Sequence, residues 1–519
     1  MKIKGQRTWL VRAAGWALIA VFLVFVARFW HPVFRLTSLL QLDSSNDELK
    51  IQAFKDLPVY VYRTTGGYDG FYYAQIAYHP SLADPELVPA TDSLAYRARR
   101  ILPSALAWIF AAGQPALIVH VYSFLNIAAW LALAWLLWRI LEVQDFRSWL
   151  GWAAVLFSAG ALGSVRLALT DLIALVILAA GLMFAERNRP PASLGLIALA
   201  GLARETSVLA FVGAIDPPFI SRRNFFRALL VVAPLAFWLG YIRWQVGTLN
   251  AGWGNFAAPA LGLIGKWKNS WDAITHGNPD HASLAWTTLL ATIGLSVQLF
   301  FFVTRRRLND PWWRVGTLYG IMMLFLGTAV WEGFPGAATR VLLPLTLAFN
   351  VLAVRTRTTL LWLILGNLAV PAGVQMFLHP PTDPTELAAA RSHGTAIIAE
   401  TGSGWYGVER TARHAWSWNS GDGVLRLKTW PSVSRHGEFR GTLRSVAPCM
   451  VAVTQDGVVL WRGESKVTKT EFSFPFTIAE GRGELKFATD TPGVPEGSSP
   501  DARRLAFAVY DVRLMVSEK

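Results

Sequence analysis

Long apolar runs recur along the first three quarters of the chain and then cease. A helix needs about 20 mostly apolar residues to cross a bilayer, so these runs predict membrane-spanning helices. The candidate spans are residues 9–30, 117–140, 148–164, 168–186, 191–203, 206–217, 226–244, 283–304, 313–331, 339–354 and 359–377. The fifth and sixth are too short to cross alone and read as broken helices or as one tilted pair. About 11 crossings are therefore expected.

Basic residues predict the orientation, because arginine and lysine collect on the cytoplasmic side of membrane proteins. With the N-terminus inside, every cluster between spans falls on that same side: Arg139 and Arg147; Arg187 and Arg189; Arg222, Arg223 and Arg227; Arg305, Arg306 and Arg307; Arg355 and Arg357. The prediction is N-in/C-out, with residues 31–100, 245–282 and the C-terminal region outside. The short apolar segment 101–113 is read as a re-entrant or surface helix, because counting it as a span would break this agreement.

The pattern changes near Thr401, where short stretches of alternating or β-rich residues begin, such as CMVAVTQDGVVLWRG and RLAFAVYDVRLMV. Such segments, separated by turn residues, are typical of strands, and Asp456-Gly457 is a hairpin signal. We expect an all-β sandwich at 401–519, a linker with a short helix at 379–400, and an α-helical polytopic membrane bundle at 1–378.

Composition agrees with this division. Only 16% of the residues are charged, against roughly 25% in soluble proteins, and 53% are hydrophobic. The net charge of +14 does not indicate nucleic-acid binding, because the basic residues sit mostly between apolar runs. Single Cys449 excludes an intrachain disulfide. Phosphate-loop, dinucleotide and H-E-x-x-H motifs are absent, so nucleotide hydrolysis within the chain is not expected.

The most informative stretch is GGYDGFYYAQIAYHP, residues 66–80. Asp69 follows two glycines and opens a predicted helix on which Tyr72 and Tyr73 lie close together. A carboxylate beside aromatic rings suits sugar binding and catalysis. Asp is also a preferred helix N-cap residue, so the residue types alone favour neither role.

The segment YDGFYY, together with AYRARRILP at residues 95–103, resembles bacterial membrane proteins of the GT-C glycosyltransferase superfamily. The layout of residues 9–377 is similar to that of the glycosylphosphatidylinositol mannosyltransferases, which carry an aromatic-Asp pair at this place. The resemblance implies a long first extracytoplasmic loop whose acidic residue is catalytic, here Asp69, and a sugar donor carried on polyprenyl phosphate.

The chemistry explains why such residues are wanted. A carboxylate takes the proton of an attacking sugar hydroxyl, and arginine neutralises the phosphate that leaves. Arg99 and Arg100 are candidate donor-phosphate ligands, and the alternative is that they bind ordinary lipid headgroups. Tyr68, Tyr72 and Tyr73 are candidate pocket residues.

Other ionisable groups lie in apolar surroundings, which marks them as functional hypotheses. Arg204 and Glu205 are adjacent in sequence and so do not face each other on a helix; Asp171 is one candidate partner, or simply a helix cap. Glu332 and Arg340 bracket a short outer loop, where Arg340 is either a phosphate ligand or an interfacial anchor. His276 is read as an exposed loop residue.

The aromatic residues of the C-terminal region allow two interpretations. Four tryptophans lie in its first thirty residues: Trp405, Trp416, Trp418 and Trp430. They favour a buried core, with glycan binding as the alternative.

We therefore expect a glycosyltransferase of a bacterial inner membrane, moving a sugar from a polyprenyl-phosphate donor to an extracytoplasmic lipid, glycan or protein. The alternatives are a non-enzymatic transporter or flippase of lipid-linked glycans and a membrane scaffold that displays the β domain. No cofactor is indicated. Asp69 has no acidic neighbour in sequence, which disfavours a tight divalent-metal site but leaves metal dependence open.

Overall fold

The computed structural model describes residues 2–63, 66–249, 252–392, 394–411, 413–499 and 501–517. The chain divides into two compact units. The helical unit comprises Met1–Phe29, Leu36–Ile51 and Val61–Pro380, and the β unit comprises Trp30–Arg35, Gln52–Tyr60 and Pro381–Lys519. Two short pieces of the first loop therefore belong to the β unit.

Helices account for most of the helical unit. The α-helices are Lys2–Ala27, Gly70–Ile76, Leu94–Arg97, Ile101–Phe110, Pro115–Ile140, Phe146–Leu156, Ala159–Arg166, Asp171–Glu186, Pro190–Ala203, Arg222–Val246, Leu261–Thr275, Ala282–Thr304, Pro311–Phe325, Thr328–Trp331, Ala338–Val341, Leu343–Arg355, Leu360–Gly366 and Val370–Gln375. The 3-10 helices are Thr37–Leu40, Ser44–Leu49, Pro85–Leu87, Ala98–Arg100, Glu205–Gly213, Trp253–Asn255 and Pro279–His281.

Among the described residues, four helices are long and apolar enough to cross a membrane: Trp9–Ala27, Pro115–Ile140, Arg222–Val246 and Pro279–Thr304. A fifth span results if Phe146–Leu156 and Ala159–Arg166, bent by 40°, count as one. The expected number of about 11 is not supported. Several predicted spans are shorter helices, such as the 16-residue Asp171–Glu186, and a run of apolar residues alone does not distinguish a lipid-facing span from a buried helix.

Polar side chains form hydrogen bonds to the backbone where the helices are interrupted. Asn126 donates to the carbonyl of Leu169 at 2.7 Å, just before Asp171–Glu186 begins. Gln298 donates to the carbonyl of Gly366 at 2.7 Å, where Leu360–Gly366 ends. Carbonyls at helix ends lack a partner within the helix, so such bonds stabilise broken helices in an apolar setting.

The β unit contains the short helix Gln52–Lys55 and antiparallel strands. The strands are β1 Glu386–Ser392, β2 Thr395–Thr401, β3 Glu409–Arg410, β4 Ala415–Asn419, β5 Gly423–Trp430, β6 Arg435–Ser445, β7 Cys449–Gln455, β8 Val458–Ser465, β9 Thr470–Ile478, β10 Arg482–Thr489, β11 Val494–Pro495, β12 Arg504–Leu505 and β13 Phe507–Val516. One sheet has the order β1-β2-β5-β10-β7-β8, a second has β3-β4-β13-β6-β9, and β11 pairs with β12.

Alternating burial along the strands creates the β core. Side chains of β9 alternate between buried and exposed, and Phe474 stacks on Phe439 at 4.9 Å within its own sheet. Phe474 also meets Phe487 of the other sheet at 6.4 Å, so the two sheets face each other. The predicted all-β domain is confirmed, and so is the hairpin turn, because Gln455 pairs with Val458 around Asp456-Gly457.

The expectation of a linker with a short helix at 379–400 was wrong. Residues 386–392 and 395–401 form β1 and β2, and β2 pairs with β5 inside the larger sheet. The first-loop piece Trp30–Arg35 contacts this region, because His31 Nε2 lies 2.9 Å from Glu386 Oε1 and Arg391 donates to the carbonyl of Val33 at 3.1 Å.

Candidate functional site

The helix Gly70–Ile76 begins in close contact with another segment of the helical unit. A Cβ added to Gly70 would lie 2.2 Å from the carbonyl oxygen of Leu167, so a larger residue cannot occupy this position without a shift. This contact brings Asp69 beside the chain that leads into the helix Asp171–Glu186.

Asp69 occupies the N-cap position of that helix, but no side-chain cap hydrogen bond forms there among the described residues. Its Oδ2 instead lies 2.7 Å from Nη1 of Arg97. Arg97 also donates from Nη2 and Nε to the two carboxylate oxygens of Asp92, at 2.6 and 2.9 Å. One guanidinium thus connects two loop carboxylates. Its central carbon also lies 5.2 Å from the centre of the Tyr72 ring.

A second group is built around Glu205. Arg100 donates to both carboxylate oxygens at 2.9 Å, a bidentate geometry. Arg99 approaches the same carboxylate at 3.5 Å and lies over the ring of Tyr96 at 4.2 Å. Arg100 also donates to the hydroxyl of Tyr73 at 2.7 Å.

A third group is built around Asp171, the first residue of the helix Asp171–Glu186. Arg204 lies 2.6 Å from Oδ1 of Asp171, and Arg340 lies 3.5 Å from Oδ2. Arg340 also donates to the hydroxyl of Tyr68, the residue before Asp69. Asp171 is 4% exposed, so its charge is balanced by these two ion pairs rather than by solvent.

These groups together form what we call the charged cluster: Asp69, Asp92, Arg97, Arg99, Arg100, Asp171, Arg204, Glu205 and Arg340. Tyr73 connects the first two groups, because Arg97 lies 5.9 Å from its ring and Arg100 donates to its hydroxyl. Five guanidinium groups face four carboxylates, so the cluster carries one excess positive charge and attracts an anion.

Side-chain exposure differs sharply within the charged cluster. The side chain of Asp69 is 30% exposed, whereas that of Asp171 is 3% exposed and that of Arg100 is 5% exposed. Asp92 is the most exposed carboxylate of the cluster at 45%, and Asp69 is the next most accessible to a molecule from solvent.

The ion pairs in the loop alter proton affinities. Burial alone would lower the pKa of Arg97, but its hydrogen bonds to Asp92 and the nearby carboxylate of Asp69 raise it above its ordinary value. Burial alone would raise the pKa of Asp92, but Arg97 outweighs burial and lowers it. Asp92 and Arg97 are consequently both charged at neutral pH.

The structure brings together most of the residues that the sequence predicted. Asp69, Asp171, Glu205 and all four candidate arginines belong to the charged cluster, and Tyr68, Tyr72 and Tyr73 contact it. Asp171 is the partner of Arg204 that the sequence suggested. Glu332 lies apart from the cluster, on the rim of another cavity.

Two members of the charged cluster were missing from the predicted site. Arg97 lies within the segment AYRARRILP but is not among the predicted site residues, and neither is Asp92. Asp92 precedes the N-cap Ser93 of Leu94–Arg97 and is five residues from Arg97, a spacing longer than one helical turn, so the sequence offered no clear signal for this pair. Asn255 was also missed; it donates to the hydroxyl of Tyr96 at 3.0 Å.

The described residues contain no group of three or more His, Cys, Asp or Glu side chains that could hold a metal ion. The carboxylates of the charged cluster are bound by arginines instead. His276 is exposed and its ring contacts the hydroxyl of Thr275 at 2.8 Å, as expected of a loop residue.

The tryptophans of the β unit have separate positions. Trp405 packs edge-on against Phe487 at 5.4 Å in the core, whereas Trp416 stacks on Tyr510 at 5.5 Å. Trp430 meets Phe34 at 6.0 Å. The core interpretation therefore describes Trp405 well but does not extend to every tryptophan.

No family model matches the chain, and no curated protein matches it. Two solved structures of family 29 carbohydrate-binding modules are similar to part of it. One is 12% identical with a TM-score of 0.17, over 26% of this chain and 90% of the module. The other, complexed with mannohexaose, is 11% identical with a TM-score of 0.16, over 26% and 89%. At this similarity the modules assign no ligand to this chain.

Proposed function

We propose that this chain is an inverting membrane glycosyltransferase that uses a polyprenyl-phosphate-linked sugar and acts on an extracytoplasmic lipid, glycan or protein. The observation that carries the proposal is the charged cluster itself, in which the partly exposed carboxylate of Asp69 pairs with Arg97 while four further arginines pair with Glu205 and Asp171. The sequence-based orientation N-in/C-out places the loop that holds Asp69 on the outer face of a bacterial inner membrane.

Asp69 is the proposed general base. It accepts the proton of an acceptor hydroxyl as that oxygen attacks the anomeric carbon, while the bond from that carbon to the phosphate oxygen breaks. Arg97 holds the carboxylate from one side at 2.7 Å, which fixes its direction, and Asp92 holds Arg97 in turn. A base fixed in this way needs less reorganisation when the reaction occurs.

The leaving polyprenyl phosphate requires positive charge. Glu205 already receives two hydrogen bonds of 2.9 Å from Arg100, and Oδ1 of Asp171 forms an ion pair of 2.6 Å with Arg204. Arg99 and Arg340 approach the same carboxylates at 3.5 Å, so they form the weaker ion pairs.

We assign the two sets of arginines different roles on this basis. Arg99 and Arg340 contact the donor phosphate, whereas Arg100 and Arg204 position the carboxylates. A guanidinium that is less tightly paired gives up less interaction energy when it turns toward a phosphate.

The test is a transfer reaction with the full chain in lipid nanodiscs. A set of polyprenyl-phosphate hexoses and pentoses is supplied with membrane extract as the acceptor source, and free polyprenyl phosphate is measured by mass spectrometry. The proposal expects release from at least one donor above the level of protein-free nanodiscs. Absence of release from every donor in the set would contradict it.

A further inference from the structure

A second polar cavity lies in the helical unit, separate from the charged cluster. Its volume is about 380 Å³. One face of the helix Leu261–Thr275 lines it with Lys266 and Ser270, the helix Ala282–Thr304 contributes Thr288, and residues 328–334 complete the wall.

Three buried side chains of this wall have polar atoms that make no hydrogen bond within the described part of the chain. They are the hydroxyls of Ser270 and Thr288 and the indole Nε1 of Trp331. These residues are 3%, 1% and 3% exposed. Burying a polar group without a partner costs about 1–3 kcal/mol, so three around one cavity indicate that a ligand supplies their partners.

Lys266 adds a positive charge to the same cavity. The residue is 7% exposed, and its ammonium donates to the carbonyl of Gly333 at 2.6 Å. No carboxylate in the described ranges lies within ion-pair distance of it; Glu332 lines the rim and is exposed. Burial lowers the pKa of Lys266 to about 8, which reflects an ammonium without a counter-ion.

We infer that this cavity binds a phosphate group. Trp331 Nε1 and Lys266 Nζ can only donate hydrogen bonds, and the two hydroxyls can also donate. Four donors around one cavity match the several acceptor oxygens of a phosphate better than the two of a carboxylate. A phosphate would also supply the counter-ion that Lys266 lacks. This inference does not depend on the glycosyltransferase proposal.

The phosphate has two possible sources, a lipid headgroup and soluble phosphate, and the surroundings indicate the lipid. The next face of the same helix exposes Leu261, Ile264 and Trp271, with 59%, 61% and 56% of each residue accessible. Such an apolar face beside a buried lysine is typical of a helix that lies at a membrane interface. Thr288 lies within the candidate span Pro279–Thr304.

The experiment uses the full chain and measures two quantities. In an alkyl maltoside detergent, which contains no phosphate, inorganic phosphate is titrated and its apparent affinity is read from the shift in thermal unfolding. In nanodiscs that contain phosphatidylglycerol and phosphatidylcholine, native mass spectrometry measures which lipid stays bound. Retention of either phospholipid identifies a headgroup, and stabilisation by inorganic phosphate without lipid retention identifies soluble phosphate.

Matched variants decide whether the cavity is responsible. Lys266→Met should weaken whichever binding is observed by about tenfold or more, because a charge-assisted hydrogen bond is lost. Lys486→Met, at an exposed lysine of the β unit, should change it by less than about twofold. Trp331→Phe keeps an aromatic ring in this position and removes the indole N–H, so it should weaken binding as well. Binding that none of the cavity variants alters, or no binding of either probe, would overturn the inference.

Discussion

Asp69 and Arg97 form an ion pair of 2.7 Å at the start of a helix, in a position where an aspartate would ordinarily cap the backbone. No cap bond from the Asp69 side chain is found within the described ranges, and Arg97 is held on its other side by Asp92. The side chain is thus directed by a guanidinium and remains 30% exposed. This geometry suits a base that must meet an acceptor from outside.

Removing the charge of Glu205 should destabilise the helical unit. Glu205→Gln leaves the guanidinium of Arg100, with a side chain only 5% exposed, without its bidentate partner. Breaking one side of a buried pair costs about 3–5 kcal/mol, and the 22% exposure of Glu205 puts the expected loss near the lower end of that range. Thermal unfolding in detergent measures it.

The exposed Glu48→Gln is the control for this experiment and should leave the unfolding midpoint unchanged within error. Equal midpoints for Glu205→Gln and Glu48→Gln would show that Arg100 finds another partner.

The two roles assigned to the arginines predict different kinetic effects. Arg340→Gln and Arg99→Gln should raise KM for the donor by about tenfold, because each removes a charged contact to phosphate. Arg100→Gln should mainly lower thermal stability. Initial-rate kinetics and thermal unfolding, measured on the same preparations, separate the two roles. A larger loss of stability in Arg340→Gln than in Arg100→Gln would contradict the assignment.

Lys266 predicts a specific pH dependence of stability. Its pKa is lowered to about 8 in the folded state, against an ordinary value near 10.4 for an unfolded lysine. The unfolded chain therefore binds more protons between these values, so stability should rise with pH across that window.

Lys266→Met removes this effect and should stabilise the phosphate-free protein at pH 7, with a gain that shrinks as the pH rises from 8 to 10. Thermal unfolding at several pH values checks it, with Lys268→Met as the control. A gain that is independent of pH would contradict the account of a buried ammonium.

The core of the β unit should be sensitive to Phe487, which is 1% exposed and contacts Phe474 of the opposite sheet. Phe487→Ala should cost about 3–5 kcal/mol through lost burial and a cavity. Met515→Ala, at a position 46% exposed, should cost far less. Hydrogen exchange of the β strands in the full chain measures both, and similar exchange in the two variants would contradict the assigned core.

The sequence predicted elements best where the pattern was long or strictly alternating. The run 117–140 corresponds to the helix Pro115–Ile140, and the alternation of TEFSFPFTI corresponds to β9. The sequence-based prediction was wrong at 379–400. The segment ELAAARS is rich in alanine, which favours a helix, but its pairing with β2 makes it a strand. Tertiary pairing overrode local propensity there.

The charged cluster was partly predictable for a different reason. A charge such as Arg204 in apolar surroundings requires a partner, so its pairing with Asp171 could be anticipated. The partner of a loop carboxylate depends on the path of the chain, which the sequence does not specify. Arg97 and Asp92 could therefore be assigned to Asp69 only from the structure.

The central claim is that Asp69 accepts the proton during sugar transfer. Asp69→Asn keeps the size of the side chain and removes the base, so kcat should fall by at least about 100-fold. Asp84→Asn is the matched control, because Asp84 lies in the same loop, faces His79 and has a side chain 31% exposed, against 30% for Asp69.

The most direct measurement is the turnover number of these two variants and the unchanged protein, with the polyprenyl-phosphate sugar that supports transfer and with unfolding midpoints recorded in parallel. The account predicts that Asp69→Asn loses at least about 100-fold in kcat at an unfolding temperature close to that of Asp84→Asn, which retains full turnover. Full turnover by Asp69→Asn would contradict it.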